Sequence, residues 1–282
     1  MLFAITSAIS ESFAIIVDKF NLNLKNISGQ KYTTFLFLFM AALSLPLLFF
    51  VDFSKESLAF FPFLALIGII FGSAIQNVFL YVGLKNRDLS YIEPIRNSEP
   101  ILIILIAFLL FPSERNMVVL LLGVFTTLAL IYSHTEKNEV KKMRVIFDKY
   151  ALIVLTSMFL AAFINVGYKY VLEFYSPLFL MATRTIGVAI ILALAFKPKI
   201  TELQQKQNWL FFLSAVLYSV ASILKYFAIT KVGLSLTIII LTLSPAIIYI
   251  FSKLLLKEKL TLNKVIASVA IIACVVFASI FL

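Results

Sequence analysis

Three charged side chains stand at regular spacing in front of an apolar run. Glu93, Arg96 and Glu99 are three residues apart, and the residues ILIILIAFLLF that follow Pro100 have no polar side chain. In a helix this spacing places the three charges along one face. A guanidinium between two carboxylates can bind a solute carboxylate, and each carboxylate can bind an amine or a proton. The alternative is structural: Arg96 is neutralised by its two neighbours, and the cluster holds helices together.

The composition defines the setting of these charges. Of 282 residues, 62% are hydrophobic and 13% are charged, and the mean hydropathy is +1.05. Soluble domains are less apolar and carry about 25% charged residues, so the chain is predicted to be an integral membrane protein. The single cysteine, Cys274, and the single histidine, His134, provide neither a disulfide framework nor a metal site. We expect no cofactor.

The chain divides into apolar segments of the length that a transmembrane helix needs, roughly 20 residues. Continuous apolar runs differ from the alternating segments of a membrane β-barrel, so helices are expected. A basic connecting loop, 134–149, separates a first five-helix unit, 1–133, from a second, 150–282. The predicted fold is all-α and integral to the membrane, with ten transmembrane helices near 2–19, 33–51, 59–84, 90–111, 116–133, 150–171, 177–196, 208–229, 235–256 and 263–282.

Basic residues are distributed unevenly between the two sides of the predicted spans. Most lysines and arginines between spans lie in loops 1–2, 3–4, 5–6, 7–8 and 9–10. The positive-inside rule places these loops in the cytoplasm and both termini outside. We expect a multi-pass protein of the plasma or inner membrane. The loops explain the net charge of +10, and no nucleic-acid partner is expected.

The two units repeat each other in sequence. A shift of 145 residues places Tyr81 on Tyr226 and Pro100 on Pro245. Because each unit has an odd number of spans, the second unit would insert upside down relative to the first. Such an inverted-topology repeat is typical of secondary transporters that work by alternating access.

Several motifs together resemble one transporter family. Lys19 and Lys169 lie near the ends of spans 1 and 6, and Arg184 lies in span 7 within SPLFLMATRT. Spans 4 and 9 each contain a proline, and a glutamate comes after each of these spans. In these features the chain resembles the EamA-type branch of the drug/metabolite transporter superfamily. The resemblance implies a basket of ten helices around a central cavity lined by both units. Span 2 lacks an arginine corresponding to Arg184, and the first unit is more acidic than the second.

A second resemblance concerns Glu11, in the segment ISESFAIIVDK of span 1. This glutamate is similar to the span-1 glutamate of the small multidrug resistance transporters, four-span relatives in the same superfamily. The resemblance implies that Glu11 binds a proton and a cationic solute in turn. Its counterpart in the second unit lies near Ala161, so the role would be single rather than paired.

Charges at mid-membrane depth cost about 2.5–3.5 kcal/mol each on insertion scales and are usually paired or functional. Glu11 and Glu99 lie about halfway along their spans and are predicted to couple transport to a proton or cation. Lys19, Lys169 and Lys253 lie near span ends, where snorkelling to the interface is favoured. For the uncharged polar residues, helix–helix hydrogen bonds are the alternative role. The candidate substrate-binding residues are Glu93, Arg96, Glu99, Gln76, Asn77, Tyr81, Asn165, Tyr168, Arg184, Lys225 and Tyr226.

These features predict a secondary active transporter, an exporter, of a small polar or zwitterionic metabolite such as an amino acid, with proton coupling. One alternative substrate is a quaternary ammonium or hydrophobic cation held by aromatic rings; another is an anionic, phosphorylated metabolite. The aromatic cage would consist of Tyr81, Tyr91, Tyr168, Tyr218 and Tyr226, and the anion site of Arg96, Arg184, Lys169 and Lys225.

The remaining alternative is a membrane subunit that transports nothing itself. No nucleophile elbow, HExxH, P-loop or paired-aspartate motif is present, so no enzyme is predicted. The expected partners are a small-molecule substrate and the lipid bilayer, and the chain is expected to act as a monomer.

Overall fold

The described part of the chain is α-helical and contains no β-strand. The structure is a computed structural model that describes residues 1–22, 28–50, 59–86, 95–133, 149–199, 205–256 and 261–281. Within these ranges we number eleven α-helices, joined in two places by short 3₁₀ helices at Leu45–Phe50 and Pro112–Glu114. The helices are α1 (Leu2–Leu22), α2 (Gly29–Ser44), α3 (Phe60–Asn86), α4 (Glu99–Leu110), α5 (Met117–Tyr132), α6 (Lys149–Val171), α7 (Pro177–Phe196), α8 (Gln205–Val232), α9 (Leu234–Leu241), α10 (Leu243–Leu256) and α11 (Leu262–Phe281).

Many of these helices have the length and composition of membrane spans. In the described ranges, seven helical segments are long and apolar enough to cross a bilayer, while α4 and α5 are shorter apolar helices. Helix α1 has 21 residues but carries Glu11, Asp18 and Lys19. The prediction of an all-α membrane protein is confirmed. The number of ten spans and the inverted orientation of the second unit stay predictions.

Helices of the two units pack mainly against each other. Helix α1 packs along α8, α3 along α6, and α2 along α7. Along α1 the buried residues include small ones such as Ala4 and Ala8, which allow close approach of the helix backbones. Ser10 donates from Oγ to the carbonyl of Leu217 on α8 at 2.8 Å. The two units therefore do not form separate lobes, and any cavity at the centre has walls from both.

The fourth and ninth predicted spans are both interrupted at corresponding positions. A turn at Asn97 and Ser98 precedes α4, and Ser98 donates from Oγ to the carbonyl of Ile95 at 2.6 Å. Thr242 separates α9 from α10 and donates from Oγ1 to the carbonyl of Ile239 at 2.6 Å. Asn97 and Thr242 are related by the same 145-residue shift that relates Pro100 to Pro245.

The interruption corrects one expectation. We expected the charges of span 4, residues 90–111, to stack along one helix face, in a helix loosened by Pro94 and Pro100. Arg96 lies before the turn, and Glu99 begins α4 after it. Pro100 lacks a backbone N–H and so cannot continue the hydrogen-bonding ladder across the turn. The regular three-residue spacing therefore does not describe one continuous face, and Glu93 lies outside the described residues.

Glu114 fixes the start of α9 from the connector between α4 and α5. Its Oε1 accepts from the backbone N–H of Leu234 at 2.8 Å, and its Oε2 accepts from that of Ser235 at 2.9 Å. Burial raises the pKa of Glu114, but these two backbone hydrogen bonds, with Lys169 nearby, outweigh burial and lower it overall. Lys169 lies 3.5 Å from Oε1. Lys169, expected to snorkel to the interface, instead pairs with this carboxylate.

Candidate functional site

A polar cavity of about 220 Å³ lies among the helices of both units. Its side chains come from α1, α2, α3, α6, α7 and α8, together with the residues around the turn before α4. A charged or amide group in an apolar helix avoids lipid, so it turns toward such an internal space. Apart from Lys169, which pairs with Glu114 outside it, the described candidates from the sequence line this cavity: Glu11, Gln76, Asn77, Tyr81, Arg96, Glu99, Asn165, Tyr168, Arg184, Lys225 and Tyr226.

A smaller cavity of about 90 Å³ adjoins the interrupted helices. Asn97 and Pro100 line it from one unit, and Thr242 and Pro245 line it from the other. Broken helices at membrane depth are tolerated where they border a cavity, because the freed backbone groups find water or solute there. The side chains common to both cavities are Glu11, Arg96, Glu99 and Lys225. These four charges therefore stand where the two spaces meet.

One carboxylate of this group is held by an amide. Asn165 on α6 donates from Nδ2 to Oε1 of Glu99 at 3.2 Å. The same Nδ2 donates to the carbonyl of Ala161, one turn earlier in α6, at 2.8 Å. The second bond orients the amide, so that α6 positions the first residue of α4. Among the described residues, the other oxygen of Glu99 has no hydrogen-bond donor, so it is available to a solute amine or a proton.

Arg184 is the buried cation of the cavity wall. The residue is only 9% exposed, and its Nη1 donates to the hydroxyl of Tyr168 at 2.7 Å. The guanidinium carbon lies 5.6 Å from the centre of the Tyr168 ring and 5.9 Å from that of Tyr226. Its Nε has no hydrogen-bond partner among the described residues. A buried donor without a partner costs about 1–3 kcal/mol or more, which an anionic ligand would offset.

The surroundings of Arg184 are mainly aromatic. The structure places two tyrosine rings and one hydroxyl around the guanidinium. Lys225 shares this aromatic wall, with Nζ 5.9 Å from the Tyr168 ring centre. Cation–π contacts hold a positive charge without neutralising it. This side of the cavity consequently stays electropositive.

Two amide residues of the cavity bond to helix atoms, and the bonds of one of them join two helices, which was the alternative role expected for uncharged polar residues. Asn77 donates from Nδ2 to the carbonyl of Ser73 in its own helix at 2.9 Å. Gln76 contacts Ser157 on α6, donating from Nε2 to Oγ at 3.4 Å, and the backbone carbonyl of Gln76 accepts from that Oγ at 2.9 Å. Both line the cavity, but Gln76 also joins α3 to α6. Their part in binding stays a prediction.

Asp18 is the cavity residue that the sequence analysis missed. Four hydroxyl groups donate to its carboxylate: those of Tyr32, Tyr81, Ser214 and Tyr218, at 2.6 to 2.8 Å. Asp18 is 5% exposed and lines the cavity near the end of α1. One signal was available, because Asp18 follows Glu11 by seven residues, two helical turns, and so lies on the same face.

Apolar helices around an internal cavity with charges of both signs define a multi-pass helical membrane protein with a central chamber. A model of the EamA-like transporter family matches residues 1–133 and again residues 148–280. The chain belongs to the EamA-like transporter family, and it is a membrane transporter by that membership. The resemblance seen in the sequence is thereby confirmed.

The fold has counterparts among solved structures. One crystal structure superposes with a TM-score of 0.78 at 12% sequence identity, covering 99% of this chain and 95% of the other. At this identity the likeness concerns the fold alone. A comparison with curated protein sequences found no match.

Proposed function

We propose that the chain is a secondary active transporter, an exporter of the cell membrane, for a small zwitterionic metabolite such as an amino acid. Transport would follow alternating access of the central chamber and would be coupled to protons moving in the opposite direction. Family membership supports transport as the activity. The chemistry of the chamber supports the class of substrate.

The observation that carries this proposal is a cavity lined by Arg184, whose Nε has no hydrogen-bond partner among the described residues, and by the carboxylates of Glu11 and Glu99. A solute carboxylate at Arg184 would accept the Nε–H and complete the hydrogen bonding of the guanidinium. A solute ammonium group would then lie toward Glu99 or Glu11, on other helices of the same cavity. A zwitterion satisfies both ends at once, whereas an ion of one sign satisfies only one.

The alternative substrates fit this lining less well. A quaternary ammonium ion would need the open faces of Tyr168 and Tyr226, but Arg184 already lies over both rings. A phosphorylated dianion would meet Glu11 and Glu99 in the same cavity of about 220 Å³. Desolvated like charges repel strongly, so this ligand would need additional cations.

Coupling would arise because a proton and an amine compete for one carboxylate. Glu11 and Glu99 are the proposed coupling residues, and each faces both cavities. A carboxylate that releases the amine on one side and takes up a proton there returns in neutral form. A neutral carboxylic acid is transferred to a low-dielectric environment at lower cost than a charged carboxylate, so the protonated transporter can change conformation more readily. The exchange therefore gives export driven by inward protons.

The test is electrogenic transport by the purified protein in liposomes, recorded on solid-supported membranes. The panel contains amino acids, choline-like cations and phosphorylated metabolites, each with and without a pH gradient. We expect a pH-dependent current with amino acids, a large loss of apparent affinity in Arg184→Gln, and loss of the pH dependence in Glu11→Gln.

Two exposed residues supply matched controls. Arg115→Gln and Glu173→Gln make the same chemical changes on the surface, outside the cavity, and should behave like the unaltered protein. Currents only with the cations or only with the phosphorylated compounds would replace the zwitterion by that class. Silence with every compound from folded protein would point to a substrate outside the panel or to a subunit without transport.

A further inference from the structure

We propose that Asp18 is a proton-binding site, and that proton uptake by its carboxylate opens the helix packing at the end of the chamber where Asp18 lies. The proposal rests on the proposed function in one respect only, that the chamber is a route for solute. It adds to Glu11 and Glu99 a third carboxylate, with a different task. That task is to link proton binding to the packing of helices.

The four hydrogen bonds to Asp18 are divided evenly between its oxygens. Oδ1 accepts from Tyr32 on α2 at 2.6 Å and from Ser214 on α8 at 2.8 Å. Oδ2 accepts from Tyr81 on α3 at 2.6 Å and from Tyr218 on α8 at 2.8 Å. Each oxygen therefore joins α8 of the second unit to one helix of the first. The charged carboxylate of Asp18 on α1 thus connects α1, α2, α3 and α8 by hydrogen bonds.

The site is filled and leaves no room for a metal ion or a solute. Tyr32 is 1% exposed and Ser214 is fully buried. The Tyr32 ring packs at 4.9 Å from the ring of Tyr81 and at 4.8 Å from that of Phe211. An ionised carboxylate has about four lone-pair positions, and the four hydroxyls occupy them. Because Asp18 and Tyr81 also line the chamber, a proton delivered by water is the ligand that can still reach the carboxylate.

Protonation of Asp18 changes its hydrogen bonds to the four hydroxyls in a defined way. The proton takes one lone-pair position, so one of the four hydroxyls loses its acceptor. Each oxygen accepts from one hydroxyl of α8 and from one hydroxyl of α2 or α3. Protonation of either oxygen therefore removes one hydrogen bond between α1 and one of these helices. The hydrogen bonds that remain are no longer made to a charge and are about half as strong.

Other contacts show which end would open. Ser7 and Ser10 of α1 donate to the carbonyls of Ala221 and Leu217 on α8, each at 2.8 Å, farther from the Asp18 end. These bonds involve no titratable group and persist on protonation. Helices α1 and α8 would therefore stay together and separate from α2 and α3 at the end marked by Asp18.

Other titratable groups face the same region and must be separated from Asp18 in any test. Among the described residues, those in hydrogen-bond contact with it are tyrosines, which stay neutral over the range in which a carboxylate titrates. The charged groups that share the chamber are Glu11, Arg96, Glu99, Arg184 and Lys225.

The first experiment detects the proton directly, and it needs no substrate. Infrared difference spectra between high and low pH record the C=O stretch of each carboxyl group that becomes protonated. We expect one band of a buried carboxylic acid that is absent in Asp18→Asn and present in Glu11→Gln. In Ser214→Ala, which removes one donor, the midpoint of this band should move upward by about one pH unit.

Ser219→Ala is the matched control for that shift. Ser219 is a buried serine on the same helix whose Oγ has no hydrogen-bond partner among the described residues. Its substitution should leave the midpoint unchanged. Ser214→Ala also keeps the proposal testable if Asp18→Asn does not fold, because this variant removes only one hydroxyl.

The second experiment measures opening. Cys274 is the single cysteine of the chain, so Cys274→Ser provides a background without thiols. In it, Leu84→Cys reports access to the chamber from the Asp18 end, since Leu84 lines the cavity near the end of α3. The rate of labelling by a membrane-impermeant maleimide is measured, and a small permeant maleimide corrects it for the thiolate content at each pH. The corrected rate should rise about tenfold as pH falls, because one hydrogen bond to a charge is lost. The acceleration should disappear in Asp18→Asn.

Each result decides the proposal independently of the substrate. If Asp18→Asn lacked none of the carboxylic acid bands of the unaltered protein, or if Ser214→Ala left the midpoint in place, Asp18 would not be the group that takes up this proton. Labelling that responds to pH equally with and without Asp18 would separate the proton from the opening. Transport of a cation or an anion instead of a zwitterion would overturn the proposed function and leave these two measurements valid.

Discussion

Glu114 lies directly against Gly233, and the two residues together form the entry to α9. The φ angle of Gly233 is +87°, a conformation that residues with a side chain rarely adopt. A Cβ at this position would meet Oε1 of Glu114 at 3.0 Å. The glycine thus turns the N–H groups of Leu234 and Ser235 toward the carboxylate, which accepts both. A negative charge there also complements the positive end of the helix.

Gly233→Ala should destabilise the protein for two independent reasons. The backbone at φ +87° is strained for alanine, and the added methyl crowds the carboxylate. We expect a loss of about 1–3 kcal/mol, measured as a lower Tm of the purified protein in detergent. A Tm equal to that of the unaltered protein would mean that the turn adopts another conformation at no cost.

Glu114→Gln should remove stabilisation that depends on pH. An amide can accept from only one of the two N–H groups with its oxygen, which leaves the other N–H against an NH₂ group at a cost of about 1–3 kcal/mol. Because the pKa of Glu114 is lowered in the folded protein, the stabilisation is complete above the pKa of an unfolded glutamate. It is lost as pH falls through the lower, folded value.

The measurement is Tm as a function of pH for the unaltered protein and for Glu114→Gln. The gap between the two curves should be widest near neutral pH and close in acid. Glu173→Gln changes an exposed glutamate and should leave the curve in place. A constant gap down to strongly acidic pH would contradict the assignment to the charge of Glu114.

Arg184→Lys should weaken binding of the transported solute even though the charge is kept. A lysine ammonium group cannot reproduce the planar donor pair or the stacking on Tyr168 and Tyr226 that the guanidinium makes. We expect apparent affinity to fall by about tenfold or more, equivalent to about 1.4 kcal/mol. The apparent affinity is read from dose–response curves of the transport current. If the Arg184→Lys protein had the same apparent affinity as the unaltered protein, the charge at this position would act only at a distance.

Gly29→Ala should disturb the contact between α2 and α3. A Cβ at Gly29 would lie 2.5 Å from the carbonyl oxygen of Tyr81, a backbone atom that cannot rotate away. The resulting displacement is expected to cost about 1–3 kcal/mol. Gly68→Ala is the control, since a Cβ there meets nothing within 4 Å. A decrease in Tm for both variants alike would show that helix flexibility, not contact, is responsible.

Much of the fold was predictable because it follows from composition and length. The all-α membrane class and the family follow from long apolar runs and from motifs repeated in both units. The interruptions of two spans were harder to place. Pro100 and Pro245 indicate weakened helices, yet the turns lie three residues earlier, at Asn97 and Thr242. Whether a freed backbone group is tolerated depends on the adjoining cavity, which belongs to the tertiary structure.

For the site residues, too, one feature was predictable from the sequence and another was not. Depth in an apolar helix is sufficient to make a polar side chain turn inward, and this explains why the predicted candidates within the described ranges line one cavity. Partners are not determined by depth. Nothing local relates Asp18 to Ser214, 196 residues away, or gives Arg184 tyrosine rings in place of a carboxylate. Binding roles for these residues stay predictions until transport is measured.

The sequence separation of these contacts has a consequence for biosynthesis. Helix α1 is made first, but half of the hydroxyls that stabilise Asp18 belong to α8, which the ribosome adds about 200 residues later. Until then the nascent chain carries a carboxylate with only Tyr32 and Tyr81 as donors. The first unit therefore cannot complete its own interior. Assembly must wait for the second unit, so a chain truncated after the first five helices should be retained and degraded.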